Sequence, residues 1–276
     1  MRLYLTLAFM IFFSANLLAQ GSNASYENGR KGKFYFYFGW NGARYTKSDM
    51  HFVGEHYDFT LEKVVGKHKP SPFTFEKYLG PHKLTIPQHN FRVGYFLKDN
   101  MNISFGFDHM KYVVQADQEV KISGHIEESG TSYDGVYTND DLIIAEDFLQ
   151  FENTDGLNYL NIELRWIDAL SARKNLSLNL VKGFGAGIMF PKTDATLLNN
   201  ERHDVFRVSG YGLAGMAGLN LAIRKNFFIQ TELKTGFIHL PWLRTTFSKA
   251  DKAKQNFLFY QYNIVFGTTI NFKKSK

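Results

Sequence analysis

The chain has 276 residues, 32 Lys and Arg against 26 Asp and Glu, a net charge of +6 and no cysteine. The missing cysteine excludes disulfides, thiolate metal sites, a cysteine nucleophile and a lipidated N-terminal Cys. Basic residues are scattered rather than clustered, so the positive charge is a surface property and nucleic acid is not an expected partner.

The chain opens with Arg2, an apolar stretch from Leu3 to Phe13, and the small-residue approach Ser14, Ala15, Asn16, Leu17, Leu18, Ala19. That order is the pattern of a secretory signal peptide over residues 1–19, cleaved after Ala19. The stretch is too short to cross a bilayer as a helix, which needs roughly 20 apolar residues. A polar tail, 20–32, follows.

From there the dominant pattern is alternation with period two, the signature of strands with two unlike faces. Eight strands are expected, at about 33–45, 87–98, 101–114, 157–168, 176–189, 206–223, 226–240 and 256–272. The first is aromatic on both faces. The second sets Phe91, Val93, Tyr95 and Leu97 against Asn90, Arg92 and Gly94; the third sets Ile103, Phe105 and Phe107 against Asn102, Ser104, Gly106 and Asp108. In the fourth, Leu160, Ile162, Leu164 and Trp166 oppose Asn161, Glu163 and Arg165. The fifth and sixth are glycine-rich on one face (Gly183, Gly185, Gly187; Gly210, Gly212, Gly218). The seventh sets Phe227, Ile229, Leu233 and Phe237 against Gln230, Glu232, Lys234 and Gly236. The eighth sets Leu258, Tyr260, Tyr262, Ile264, Phe266, Ile270 and Phe272 against Gln261, Asn263, Gly267, Thr269 and Asn271.

The connections alternate in length. Lys98-Asp99-Asn100, Ser171 to Lys174, and Arg224-Lys225 are tight turns, whereas 47–86, 115–155, 190–205 and 241–255 are long. Short turns at one end and long loops at the other is the asymmetry of outer-membrane barrels. His56 to Val65 and Glu119 to Ile126 alternate weakly; they extend the wall as hairpins or, if both pairs join it, raise the count to ten. Arg244, His51 and the acidic stretches are expected in loops.

The expected fold is therefore all-β: a closed, antiparallel, up-and-down transmembrane β-barrel with short periplasmic turns and long outer loops, one domain over 33–272, with a basic tail at 273–276. The competing arrangement is a soluble lipocalin-like barrel with the apolar face inward, binding an apolar ligand. An eight-stranded interior is just wide enough for side chains. The face carrying Gly, Ser and Asn suits it, and the bulky Phe, Tyr, Leu and Ile face suits lipid.

The inward charges Arg92, Asp108, Glu163, Arg165, Glu232 and Lys234 form the candidate site, a polar network in the lumen that must pair or bear a large desolvation cost. No catalytic residue, metal ligand set or cofactor is identified. His51, His56, His68, His82 and His203 fall in loops without zinc-motif spacing. Asp108 and His109 are strand neighbours and point to opposite faces. Asp140, Asp141, Glu146, Asp147, Glu152 and Asp155 make the second long loop acidic but lack calcium-loop spacing. The nearest approach to an enzyme is a lipid-modifying rim site at His239 with Ser248 and Thr245.

Several segments resemble the small outer-membrane β-barrel proteins of Bacteroidetes-type bacteria: Phe34-Tyr35-Phe36-Tyr37-Phe38-Gly39-Trp40, Asn90-Phe91-Arg92-Val93-Gly94-Tyr95-Phe96, Asp108-His109-Met110-Lys111-Tyr112 and Thr154-Asp155-Gly156-Leu157-Asn158-Tyr159. The resemblance implies fold and location and carries over no functional residue. The expected role is structural or surface-interacting, through extracellular loops, in a monomer. The expected partners are outer-membrane lipid, lipopolysaccharide and an extracellular ligand.

Overall fold

The computed structural model describes residues 29–80, 82–83, 86–224 and 226–272. The expected signal peptide and basic tail lie outside them. The elements are β1 (Phe34–Tyr45), β2 (Ser48–Val53), β3 (Tyr57–Val64), β4 (Gly66–Lys67), α1 (Phe75–Leu79), β5 (His89–Phe96), β6 (Met101–Val114), β7 (Glu119–Ile126), β8 (Gly135–Ile143), β9 (Leu149–Arg173), β10 (Leu176–Met189), β11 (Lys192–Leu197), β12 (His203–Phe206), β13 (Gly210–Ile223), β14 (Phe227–Arg244) and β15 (Lys252–Ile270).

Eight strands, in the order β1-β5-β6-β9-β10-β13-β14-β15, pair antiparallel, and β1 pairs with β15 to close the ring. These eight fall on the eight expected segments. The sheet as a whole has fifteen strands among the described residues, more than eight or ten, because the long loops fold into strands of their own. β2, β3, β7 and β8 continue the sheet beyond the upper part of β15, and β11 and β12 continue it beyond the upper part of β9. His51, Asp140 and Arg244 consequently sit in β2, β8 and β14 rather than in loops. Alternation too weak to define a lone strand is sufficient once a neighbouring edge supplies the hydrogen bonds.

Side-chain parity is shared around the middle of the ring, with register shifts only towards the strand ends. Phe36, Phe91, Phe105, Ile162, Phe184, Leu213, Leu233 and Ile264 all point outward and are exposed. Register aligns them into rows, so Phe38, Phe91, Phe107, Leu160 and Ile188 lie side by side on five neighbouring strands. A belt of this extent in water would be an apolar patch far beyond what soluble monomers carry, and it has the form of the lipid-facing band of a membrane barrel. The lipocalin-like alternative is overturned: the bulky face points out. Pairing of β1 with β15 leaves the ring without an open edge, as hydrocarbon demands.

The interior is layered. At the turn end, Tyr35, Tyr37, Phe96, Ile167, Val181, Met216, Phe228 and Val265 form an apolar layer. Polar groups occupy the middle. Above them a large apolar core takes in Met110, Tyr112, Tyr159, Ile238, Phe257 and Phe259 and runs on into Phe52, Phe59, Phe148 and Leu197 of the extension. The inward face of β15 is thus not uniformly polar: Phe257, Phe259 and Val265 share it with Gln261 and Asn263.

The chain before β1 is pinned at the turn end. Asp99 Oδ1, in the β5–β6 turn, accepts from the backbone N–H groups of Gly29 (3.0 Å), Arg30 (2.8 Å) and Lys31 (2.9 Å). These bonds, that of Lys31 foremost, hold the carboxyl below its ordinary pKa. A depressed carboxyl stabilises the folded contact above its unfolded pKa, and that contribution vanishes as pH falls through the folded value. Amide exchange at Gly29, Arg30 and Lys31, corrected for intrinsic rates, should be slow at neutral pH and become fast as Asp99 protonates. Asp99→Ala should exchange fast at neutral pH; unchanged protection in that variant would show that the carboxylate is not the anchor.

Candidate functional site

The six inward charges come from four strands, β5, β6, β9 and β14, and meet in the middle layer. All are buried. Glu163 is the hub: Arg92 Nη2 reaches Oε1 at 2.9 Å, Lys234 Nζ reaches the same oxygen at 2.6 Å, and Arg165 Nε reaches Oε2 at 2.6 Å. Arg165 turns its other edge to Glu232, with Nη1 at 2.7 Å from Oε1. Lys234 also pairs with Asp108. Three cations and three carboxylates balance, so no net charge remains in the low-dielectric lumen, the condition under which buried ions persist.

The remaining lone pairs and protons are met by neutral groups. Tyr37 Oη accepts from Arg92 Nε and Arg165 Nη2, both at 3.0 Å. Arg92 also donates to Ser104 Oγ (3.0 Å) and Asn161 Oδ1 (2.7 Å). Asn90 and Asn161 donate to Asp108 at 2.5 and 3.1 Å, and Gln230 and Asn263 donate to Glu232 at 2.5 and 3.2 Å. Gly106 makes this possible, because a Cβ there would collide with the Arg92 guanidinium. Asn161 and Gln230 fall on the polar faces expected from parity, but Tyr37 is a member that sequence reasoning missed, because β1 is aromatic on both faces and parity there did not say which ring pointed in.

The charged layer is covered by the upper apolar core on the loop side. On the turn side a cavity of about 60 Å³ reaches Arg165 and Gln230. Arg30 lines that cavity and bonds Asn179 Oδ1 at 3.4 Å. The arrangement is chemically suited to fixing strand register and filling the barrel.

The other candidates disperse. His51 bonds Asp58 at 2.7 Å on the exposed extension, and His56 lies 3.5 Å from Glu128. His68 contacts Gln88 at 3.3 Å. Burial holds the imidazole of His203, on β12, below its ordinary pKa. Among the described residues no three His, Asp or Glu converge as metal ligands. Asp108 and His109 do point to opposite faces, the first to Lys234 and the second to Asn158. The acidic run is spread out: Asp141 pairs with Lys121 (2.6 Å), Glu152 with Lys69 (3.0 Å) and Asp155 with Lys192 (2.7 Å). Asp147 accepts from Tyr133 Oη at 2.8 Å, and burial together with that carboxylate raises the phenol to about 12. His239 packs its ring against Tyr211 and Phe237 on the outer wall, and the structure places no hydrogen bond between it and Ser248 or Thr245.

No known family model matches the chain, and no curated protein matches it. Among solved structures it is similar in fold to the outer membrane protein OprG from Pseudomonas aeruginosa, with 9% identity, a TM-score of 0.43, and 88% of this chain and 98% of that one covered. It is likewise similar to the outer membrane protein AlkL in lipid bilayers (10% identity, TM-score 0.40, 94% and 97% covered) and to Neisserial surface protein A (10%, 0.32, 87% and 97%). At these identities the likeness is one of shape, and no role comes with it.

Proposed function

We propose that the chain is a bacterial outer-membrane protein, exported by the signal peptide at 1–19, whose ring anchors it and whose loop-end sheet binds a ligand outside the cell. The six lumen charges then have a structural role. They hold the register of a filled barrel, with the turn end facing the periplasm. One observation carries the reading: the lumen is closed by a neutral ion-pair network under a continuous apolar core. A filled interior offers no solute path. The extension, in contrast, ends on two edge strands, β8 and β12, and exposes Val136 and Ile143.

Reconstituted full-length protein should pass no steady current across planar bilayers. On a glycan array, cells expressing it should show binding that Val136→Asp with Ile143→Asp removes, while the heat-modifiable gel shift of the barrel is kept. A steady current that Glu163 substitution alters would overturn the reading in favour of a channel. Glycan binding unaffected by the β8 substitutions, or none at all, would overturn the assignment of the ligand surface to that edge.

A further inference from the structure

One row above the outer apolar belt, register sets Trp40, His89, His109 and Asn158 side by side on β1, β5, β6 and β9. All four face outward, yet His89, His109 and Asn158 are buried. The two imidazoles stack with centroids 4.8 Å apart at 21°. His89 Nδ1 lies 3.0 Å from the Pro87 carbonyl oxygen, which can only accept, so that nitrogen carries a proton. Asn158 donates through Nδ2 to the Phe190 carbonyl at 3.2 Å, leaving its Oδ1 to accept from His109 Nδ1 at 2.8 Å. Both rings therefore engage Nδ1–H and keep Nε2 without a partner among the described residues.

Lys111 stands one step beyond His109 on the same face. It is 9% exposed and makes no ion pair among the described residues. These three side chains border a sideways-open groove of about 670 Å³ whose apolar walls include Phe107, Phe190 and Phe206, within the size range of ligand sites. Asp155 also lines it, but its carboxylate is engaged by Lys192 at 2.7 Å. The other charges near Lys111 are Lys77 and the Lys69–Glu152 pair. A cation and two open imidazole nitrogens at the edge of hydrocarbon are costly without a partner. Phe107 lies one row nearer the outer belt, and Phe190, level with Asn158, stacks on Phe206 at 5.6 Å, so the groove sets an apolar wall directly beside its basic groups.

We propose that this groove seats one lipid of the outer leaflet with an anionic, phosphate-bearing headgroup, its acyl chain against Phe107, Phe190 and Phe206 and its headgroup on Lys111, His89 and His109. The ammonium supplies the charge. Each Nε2 takes up a proton with the anion or accepts the headgroup's own hydroxyl. The proposal rests on the membrane reading above and names a lipid class for it.

Native mass spectrometry of the full chain, released from detergent micelles doped equally with dioleoylphosphatidylglycerol and dioleoylphosphatidylcholine, reads the selectivity. One phosphatidylglycerol per chain should be retained over phosphatidylcholine by about ten-fold, the ratio that one charge-assisted hydrogen bond can support. Lys111→Gln combined with His89→Gln and His109→Gln should bring the two lipids to parity. Lys111→Arg should keep the preference, as should Lys182→Gln on the opposite reach of the wall. Equal retention by the wild type, or a preference that survives the triple substitution, would overturn the proposal. Displacement of the adduct by excess inorganic phosphate would overturn the commitment to a lipid. A heat-modifiable shift in the same samples separates these outcomes from failure of the barrel itself, in which the shift would be absent.

Discussion

Glu163→Gln should lower the stability of the barrel by about 3–5 kcal/mol, the cost of removing one partner from a buried ion network. Glu163 accepts from Arg92, Arg165 and Lys234. Its neutralisation leaves three cations facing two carboxylates among buried side chains. Urea unfolding of protein refolded into lipid vesicles, followed by heat-modifiability, would read the loss as a shift in midpoint. Pairing it with Lys234→Met returns the layer to neutrality and should recover part of the loss, a coupling of about 0.5–3 kcal/mol. Additive losses in the double variant would mean that the two groups do not share one network. A loss near zero for Glu163→Gln alone would mean that the lumen is wet.

Leu233→Arg should cost about 2–4 kcal/mol, the penalty for a charge on the lipid face of a membrane barrel near midplane. Leu233 is 73% exposed on the outer wall of β14. Val136, 79% exposed on β8 of the extension, should tolerate Val136→Arg within about 0.5 kcal/mol, the usual range for a surface change. The two positions are almost equally exposed, so only the solvent they face can separate them. Equal tolerance in the vesicle unfolding assay would sink the lipid-facing assignment.

Much of the architecture was legible because period-two alternation depends on the strand alone. The eight ring segments, the tight turns at Lys98 to Asn100 and Arg224-Lys225, and the inward charges all follow from parity along single strands. The weakly alternating His56 to Val65 and Glu119 to Ile126 were legible only as candidates. Each needed an edge to pair with: β3 takes β2 and β7, and β7 takes β3 and β8. The lumen site was half legible. Parity named its six charges, but neither the hub role of Glu163 nor the place of Tyr37 between Arg92 and Arg165 could be read from it. The histidine pair on the wall was missed altogether, since His89 and His109 become neighbours only through the register of β5 against β6.

By itself, the amino-acid sequence determined the two faces of each ring strand, the unequal connections and the set of charges that had to meet inside, because a strand's side-chain period and a turn's chemistry are local. Tertiary structure settled the choice between the two barrel arrangements by turning the face that carries Phe, Tyr and Leu outward, and it alone decided that apolar layers lie on both sides of the ion network and that the long loops form a continuous sheet. Each depends on ring closure and cross-strand register, which are set by hydrogen bonds between residues as distant as Phe34 and Ile270, and no pattern along one strand encodes them.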